Sequence, residues 1–331
     1  MNEVDVQEKL SRLTALRQAI AHEVVGQAEV VEQLLVALLA GGHCLLEGVP
    51  GLGKTLLVRA LGRALHLEFR RVQFTPDLMP SDIIGTEILE EEHGTGHRFF
   101  KFQQGPVFTN LLLADELNRT PPKTQSALLE AMQERAVTID GVTHPLGDAF
   151  TVIATQNPIE LEGTYPLPEA QLDRFMFHII IEHPPYGEEF DVVRSTTGLS
   201  APELHKPVSG DDLIDFQRLV RRVPVAEPVM RHALDIVRAS RPKDPESKDF
   251  VKKWVAFGAS VRAAQYLVLG GKARALTSGR YHVSFEDIRA LAHPVLRHRI
   301  ITNFHAQSES VTTDDIVDRL LETVPLPRSG M

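Results

Sequence analysis

Gly48-Val49-Pro50-Gly51-Leu52-Gly53-Lys54-Thr55 decides the fold of this 331-residue chain. It is a complete G-x-x-x-x-G-K-[ST] loop, and its fixed positions each have a physical task. Gly48, Gly51 and Gly53 admit backbone angles closed to other residues, so consecutive N–H groups can turn inward around a phosphate. Lys54 sets a point charge against the β- and γ-phosphates, and the Thr55 hydroxyl can hold a Mg²⁺ ion. Pro50, Leu52 and Leu56 fall within the same nucleotide-binding segment. The flanks agree with this reading. His43-Cys44-Leu45-Leu46-Glu47 reads as a short buried strand, and Leu56-Leu57-Val58-Arg59-Ala60-Leu61 opens a helix whose N-terminus favours an anion.

Outward from the loop, strand and helix patterns alternate. Phe69 to Phe74 looks like a second strand, ended by Pro76. Asn110 to Glu116, Phe150 to Asn157 and Phe175 to Glu182 are near-continuous apolar runs, as expected of strands buried on both faces. Buried runs separated by helical patterns imply an α/β fold, a P-loop parallel sheet sandwiched by helices. Ala136 to Thr143 alternates around Asp140-Gly141, a hairpin signal, within an insertion at about 134–147. Residues 83–104 read as a second hairpin with Gly94-Thr95-Gly96 at its tip. Beyond His183-Pro184-Pro185-Tyr186-Gly187 the strand pattern stops, and helices are expected near 211–221, 228–240, 250–270 and 284–297. The expected division is a phosphate-loop core at 1–187 and a small all-α domain at 188–331.

Bulk properties exclude several classes. A net charge of −9 argues against a broad nonspecific nucleic-acid surface. Cys44 is the only cysteine, so no intrachain disulfide can form and a reducing, cytoplasmic setting is favoured. No apolar run approaches the ~18 residues of a membrane span, and the N-terminus lacks a charged-then-apolar leader pattern. His93 and His97 flank a Gly-Thr-Gly turn with no third ligand in view, a poor zinc site.

The Asn110–Glu116 run ends in Asp115-Glu116, two acids at the carboxyl end of a buried strand. In a phosphate-loop fold that edge faces the nucleotide. Asp115 can then join Thr55 in positioning Mg²⁺, and Glu116 can orient or deprotonate the attacking water. Binding alone would not require a water-activating carboxylate, so the pair favours hydrolysis. Asn157 ends the next strand, where a neutral amide can align that water without adding negative charge; it can equally start an Asn-Pro turn.

With these residues in place, the sequence resembles the AAA+ ATPases, and within them the MoxR family, over roughly residues 25–325. The loop matches the family's Walker A motif, Leu111 to Glu116 its Walker B motif, and Asn157 its sensor 1. Glu169-Ala170-Gln171-Leu172-Asp173-Arg174-Phe175 is similar to the segment whose Arg reaches a neighbouring subunit's γ-phosphate, with Arg119 as a second interface candidate. Gly258 to Ala263 resembles sensor 2 and carries Arg262, although Val261 stands where a Pro often precedes the Arg. Val24-Val25-Gly26-Gln27 resembles the segment that lies against adenine. The two hairpins are similar to the family's pre-sensor-1 hairpin and helix-2 insertion, which makes Glu90, Glu91, His97, Arg98 and Phe99 candidate client contacts. The resemblance implies ATP/ADP and Mg²⁺ as ligands, a homo-oligomer in the form of a hexameric ring, and remodelling or maturation of a protein client through a partner with a von Willebrand factor A domain. An ATP-bound scaffold with little turnover and a nucleic-acid-dependent motor are the competing readings.

Overall fold

The computed structural model describes residues 3–24, 26–91, 98–159, 163–197 and 210–326. Val25, His93, the Gly94-Thr95-Gly96 tip and His97 lie outside the described residues.

Five parallel strands form the central sheet: β1 (Cys44–Glu47), β2 (Phe69–Gln73), β3 (Leu111–Asp115), β4 (Thr151–Gln156) and β5 (Phe177–Ile180), in the order β2-β3-β4-β1-β5. The middle strands follow their sequences: β3 is buried throughout and β4 nearly so, because helices cover both faces. The register sets Gln73 beside Asp115, Glu47 beside Gln156 and Cys44 beside Phe177. The carboxyl ends of β1, β3 and β4 therefore converge where the phosphate loop begins.

Each face of the sheet carries its own apolar cluster. One packs Phe74, Phe150, Phe175 and Leu112 under the helix Pro122–Glu134. The other runs from Leu13 and Leu35 through Leu61 and Ile179 to Leu267 and Leu320, so the C-terminal helices share a core with the sheet. A helix at Glu3–Glu23, absent from the sequence expectation, buries Leu13, Leu16 and Ile20 completely. Ion pairs from Lys9 to Asp215 (3.3 Å) and Arg12 to Asp212 (2.6 Å) tie it to the helix Gly210–Arg222, and Arg17 reaches Glu32 (3.4 Å).

The hairpin signals hold. Ala136–Ile139 pairs with Val142–Pro145 about Asp140 and Gly141, both at positive φ (48° and 83°), which is the geometry of a type I′ turn. Gly85–Glu91 pairs with Arg98–Gln104. The helix expected at 250–270 is instead two, Asp249–Trp254 and Val261–Thr277. Between them Val255–Phe257 pairs with Ile301–Thr302, so this part is not purely helical. The chain passes close to Ser240 within the interruption: at Gly258 a Cβ would lie 2.4 Å from the Ser240 carbonyl oxygen. The Ser240 hydroxyl accepts the Ala259 N–H (3.0 Å), fastening the break. Among the described residues no helix is long and apolar enough to cross a membrane.

Candidate functional site

The phosphate loop turns from β1 into the helix Lys54–Ala64, with Gly53 in the left-handed region at its N-cap and no side chain capping it. The first-turn N–H groups are thus left for an anion. Gly51 and Gly53 take positive φ (91° and 73°), as expected. Gly48 does not; it is glycine because a Cβ there would stand 2.7 Å from the Ile181 carbonyl oxygen. Lys54 donates to the carbonyls of Gly48 and, at 3.5 Å, Gln156. Burial lowers its ammonium pKa, against the pull of Asp115, Glu116 and Glu47. Thr55 lies one residue into the helix and is half-buried.

The acidic pair sits at the end of β3 in a linked set of hydrogen bonds. Asp115 Oδ1 accepts from the Thr155 hydroxyl (2.6 Å), while Oδ2 accepts Arg71 Nε (2.9 Å) and Nη2 (2.7 Å). Glu116 adopts a left-handed backbone (φ 57°) held by its N–H to Thr155 Oγ1 (2.8 Å). Its Oε2 accepts from Gln73 (2.6 Å) and Arg119 (2.9 Å), which turns the carboxylate toward β2. Asn157 is buried at the end of β4, where its amide oxygen accepts the Ile159 N–H (3.2 Å). The turn-forming role is real there, and the amide N–H₂ is a separate group. Arg71, Gln73 and Thr155 were missed from the sequence. Strand alternation puts Arg71 and Gln73 on one face of β2, but their partners follow only from the β2–β3 register.

A pocket of about 410 Å³ opens beside the loop, lined by Val24, Gln27, Pro50 to Gly53, Leu56 and Val193 among others. Gly26, at φ 81° with Pro184 and Glu188 close by, lines the adjoining depression. The segment likened to an adenine contact thus does meet the loop, except Val25, which lies outside the described residues.

Arg174 and Arg262 occupy a different edge. Met176 donates its N–H to the His43 carbonyl (2.7 Å), so the chain entering β5 sits at the amino end of β1, away from the phosphate loop. Arg262 pairs with Asp173 (2.9 Å), one residue from Arg174. Arg299 locks this corner. Its side chain is only 1% exposed, and its guanidinium bonds Asp173 Oδ1 (2.7 Å) and the carbonyls of Asp173, Phe175 and Met176. It also stacks on Tyr266, whose hydroxyl donates to the Arg174 carbonyl (3.5 Å). Asp173 and Arg299 carry no motif that would have singled them out.

On the hairpins, Glu91 pairs with Arg98 and Glu90 with Lys101, while Phe99 is joined by the more exposed Leu89 (55%) and Phe100 (70%). Phe102 stacks on His144 at 4.1 Å, bringing the two hairpins into contact.

Comparison with known proteins adds the following. Residues 43–177 match the family described as "ATPase family associated with various cellular activities (AAA)", and residues 247–320 match the AAA lid domain. Chaperone MoxR1 of Mycobacterium tuberculosis is 44% identical over 92% of this chain and 80% of its own length. Protein MoxR of Methylorubrum extorquens is 30% identical over 93% of each chain. A solved structure from Cytophaga hutchinsonii superposes with a TM-score of 0.90 at 39% identity, covering 98% of both chains.

Proposed function

As a member of the MoxR family of AAA ATPases, this chain hydrolyses ATP, and we propose that it works as one subunit of a Mg²⁺-dependent hexameric ring that remodels or matures a protein client. The observation that carries the ring is the separation of parts. The phosphate loop, Asp115 and Glu116 share one end of the sheet, whereas Arg174 enters β5 at the other. A guanidinium so placed serves a neighbour's nucleotide and not its own.

In this reading the Gly51–Thr55 amides and Lys54 grip the β- and γ-phosphates, and the base lies in the pocket between Val24–Gln27 and Pro50–Leu56. Thr55 and Asp115 supply hard oxygen donors, a set that suits Mg²⁺. Bound there, the ion neutralises charge on the β- and γ-phosphate oxygens. Glu116, once released from Gln73 and Arg119, takes the proton of the attacking water, and Asn157 orients that water. Arg174 from the adjacent subunit stabilises the transition-state charge, and Arg262, held beside it through Asp173, acts from the same edge. The core spans 1–187 and the lid 188–331.

The relative named a chaperone supports a protein client, of which a protein bearing a von Willebrand factor A domain is the form we favour. The exposed Leu89, Phe99 and Phe100 of the 85–104 hairpin give it an apolar foothold. The test is crosslinking of ATP-loaded Glu116→Gln protein in cell extract. Capture of a protein partner supports the reading; capture of nucleic acid alone would sink it.

A further inference from the structure

We propose that Arg71 is a positioning residue for hydrolysis: its guanidinium holds one oxygen of Asp115, Oδ2, and gives it up when Mg²⁺ binds. This rests on the assignment of Asp115 to the metal. Arg71 directs both Nε (2.9 Å) and Nη2 (2.7 Å) at one oxygen, Oδ2, while the other oxygen is engaged by Thr155. A guanidinium and a divalent cation are like charges and repel at a shared carboxylate.

The pair is built unevenly, as a displaceable contact would be. The Arg71 side chain is 45% exposed on the edge strand β2, whereas that of Asp115 is 12% exposed. The guanidinium can therefore swing into water while the carboxylate stays. Arg299 on Asp173, with its guanidinium sealed from solvent, shows what a fixed brace in this protein looks like.

Arg71 also sets the hold on Glu116. Its Nη2 donates to Gln73 Oε1 (2.7 Å), and Gln73 Nε2 donates to Glu116 Oε2 (2.6 Å). Arginine only donates and a carboxylate only accepts, so the Gln73 amide has one permitted orientation between them. When Arg71 leaves Asp115, that orientation loses its anchor, and of the two side-chain contacts on Oε2 Glu116 keeps the one from Arg119. Metal arrival thus loosens one of the two holds on the base, the Arg119 contact being the other.

Mn²⁺ serves as the probe, with its binding to the ADP-saturated full-length chain read from the electron paramagnetic resonance of free Mn²⁺. Arg71→Met should bind Mn²⁺ about tenfold more tightly than the parent, the size of effect expected from removing a contacting charge. Fluorescent ADP affinity in EDTA should stay within about twofold, since the displaced contact lies on the metal side. Arg71→Gln keeps a polar amide opposite Asp115 without the charge, and should show the same tightening if the Met variant fails to fold. Unchanged or weaker Mn²⁺ binding in either folded variant overturns the proposal and makes Arg71 a static brace. Asp115→Asn in the parent background must weaken Mn²⁺ binding; if it does not, the metal assignment of Asp115 itself fails, whatever Arg71 does.

Discussion

Two glycines of one loop are called for by different physical causes, and substitution separates them. Gly48 packs its α-carbon against the Ile181 backbone, where a Cβ would meet the carbonyl oxygen at 2.7 Å. Backbone cannot move aside as a side-chain end can, so Gly48→Ala should destabilise the fold by about 1–3 kcal/mol. Gly51 has nothing within 4 Å of such an atom but takes φ +91°. Gly51→Ala should cost about 1–2 kcal/mol of backbone strain, expressed chiefly as weaker nucleotide binding. Urea midpoints and fluorescent-ATP titrations check both; a larger stability loss for Gly51→Ala would contradict the steric account. The placement of Lys54, Asp115 and Glu116 at one end of the sheet was legible because each belongs to a contiguous motif beside a buried strand. Arg71 and Gln73 were not legible, since their meaning lies in which strand runs beside theirs. The need for glycine at 48 was legible and misread as to cause, because a close approach by a distant carbonyl leaves no local trace.

Elements were readable where the period and the turn residues agreed. The Asp140-Gly141 hairpin and the almost wholly buried β3 and β4 are such cases. The expected 250–270 helix failed where the chain at Gly258 passes close to Ser240, a tertiary contact that a helical pattern does not reveal. Contact between the two hairpins was likewise invisible, since it depends on one side chain from each. The Phe102–His144 stack (4.1 Å, 25° between planes) makes them one unit. A double-mutant cycle of Phe102→Ala and His144→Ala should give a coupling of about 0.5–1.5 kcal/mol in denaturant unfolding. Strict additivity would mean that the hairpins stand independently.

At the scale of the molecule, charge pairs fasten the C-terminal helices to one another and to the helix Ala28–Ala40. Arg274 bridges Glu32 (3.3 Å) and the buried Asp287 (2.7 Å), and Arg280 also binds Asp287 (2.6 Å). Burial alone would raise the Asp287 pKa, but hydrogen bonds from Arg280, Ser284 and Arg274 bring it down to about 2. Its folded value therefore lies below the unfolded one of 3.8. The stabilisation is present above pH ~4 and is lost as pH falls toward ~2, some 2 kcal/mol in all. Urea midpoints between those limits should fall less steeply for Asp287→Asn than for the parent. The same fastened architecture fixes which residues can share a nucleotide. Arg299 and Asp173 hold Arg174 and Arg262 at the end of the sheet remote from the phosphate loop, and in the proposed ring both serve a neighbour's site. Lys54→Ala and Arg174→Ala should each be inactive alone, the first for want of nucleotide and the second for want of the finger. Mixed at equal amounts, they should regain turnover, because an Arg174→Ala subunit keeps its own loop and can borrow Arg174 from a Lys54→Ala neighbour. In a head-to-tail ring assembled at random, ~25% of sites would be complete. Arg262→Ala should complement Lys54→Ala in the same way. An ATPase assay of the mixtures decides it: absence of recovery with Arg174→Ala would place the finger's role within one chain and remove the argument for a ring.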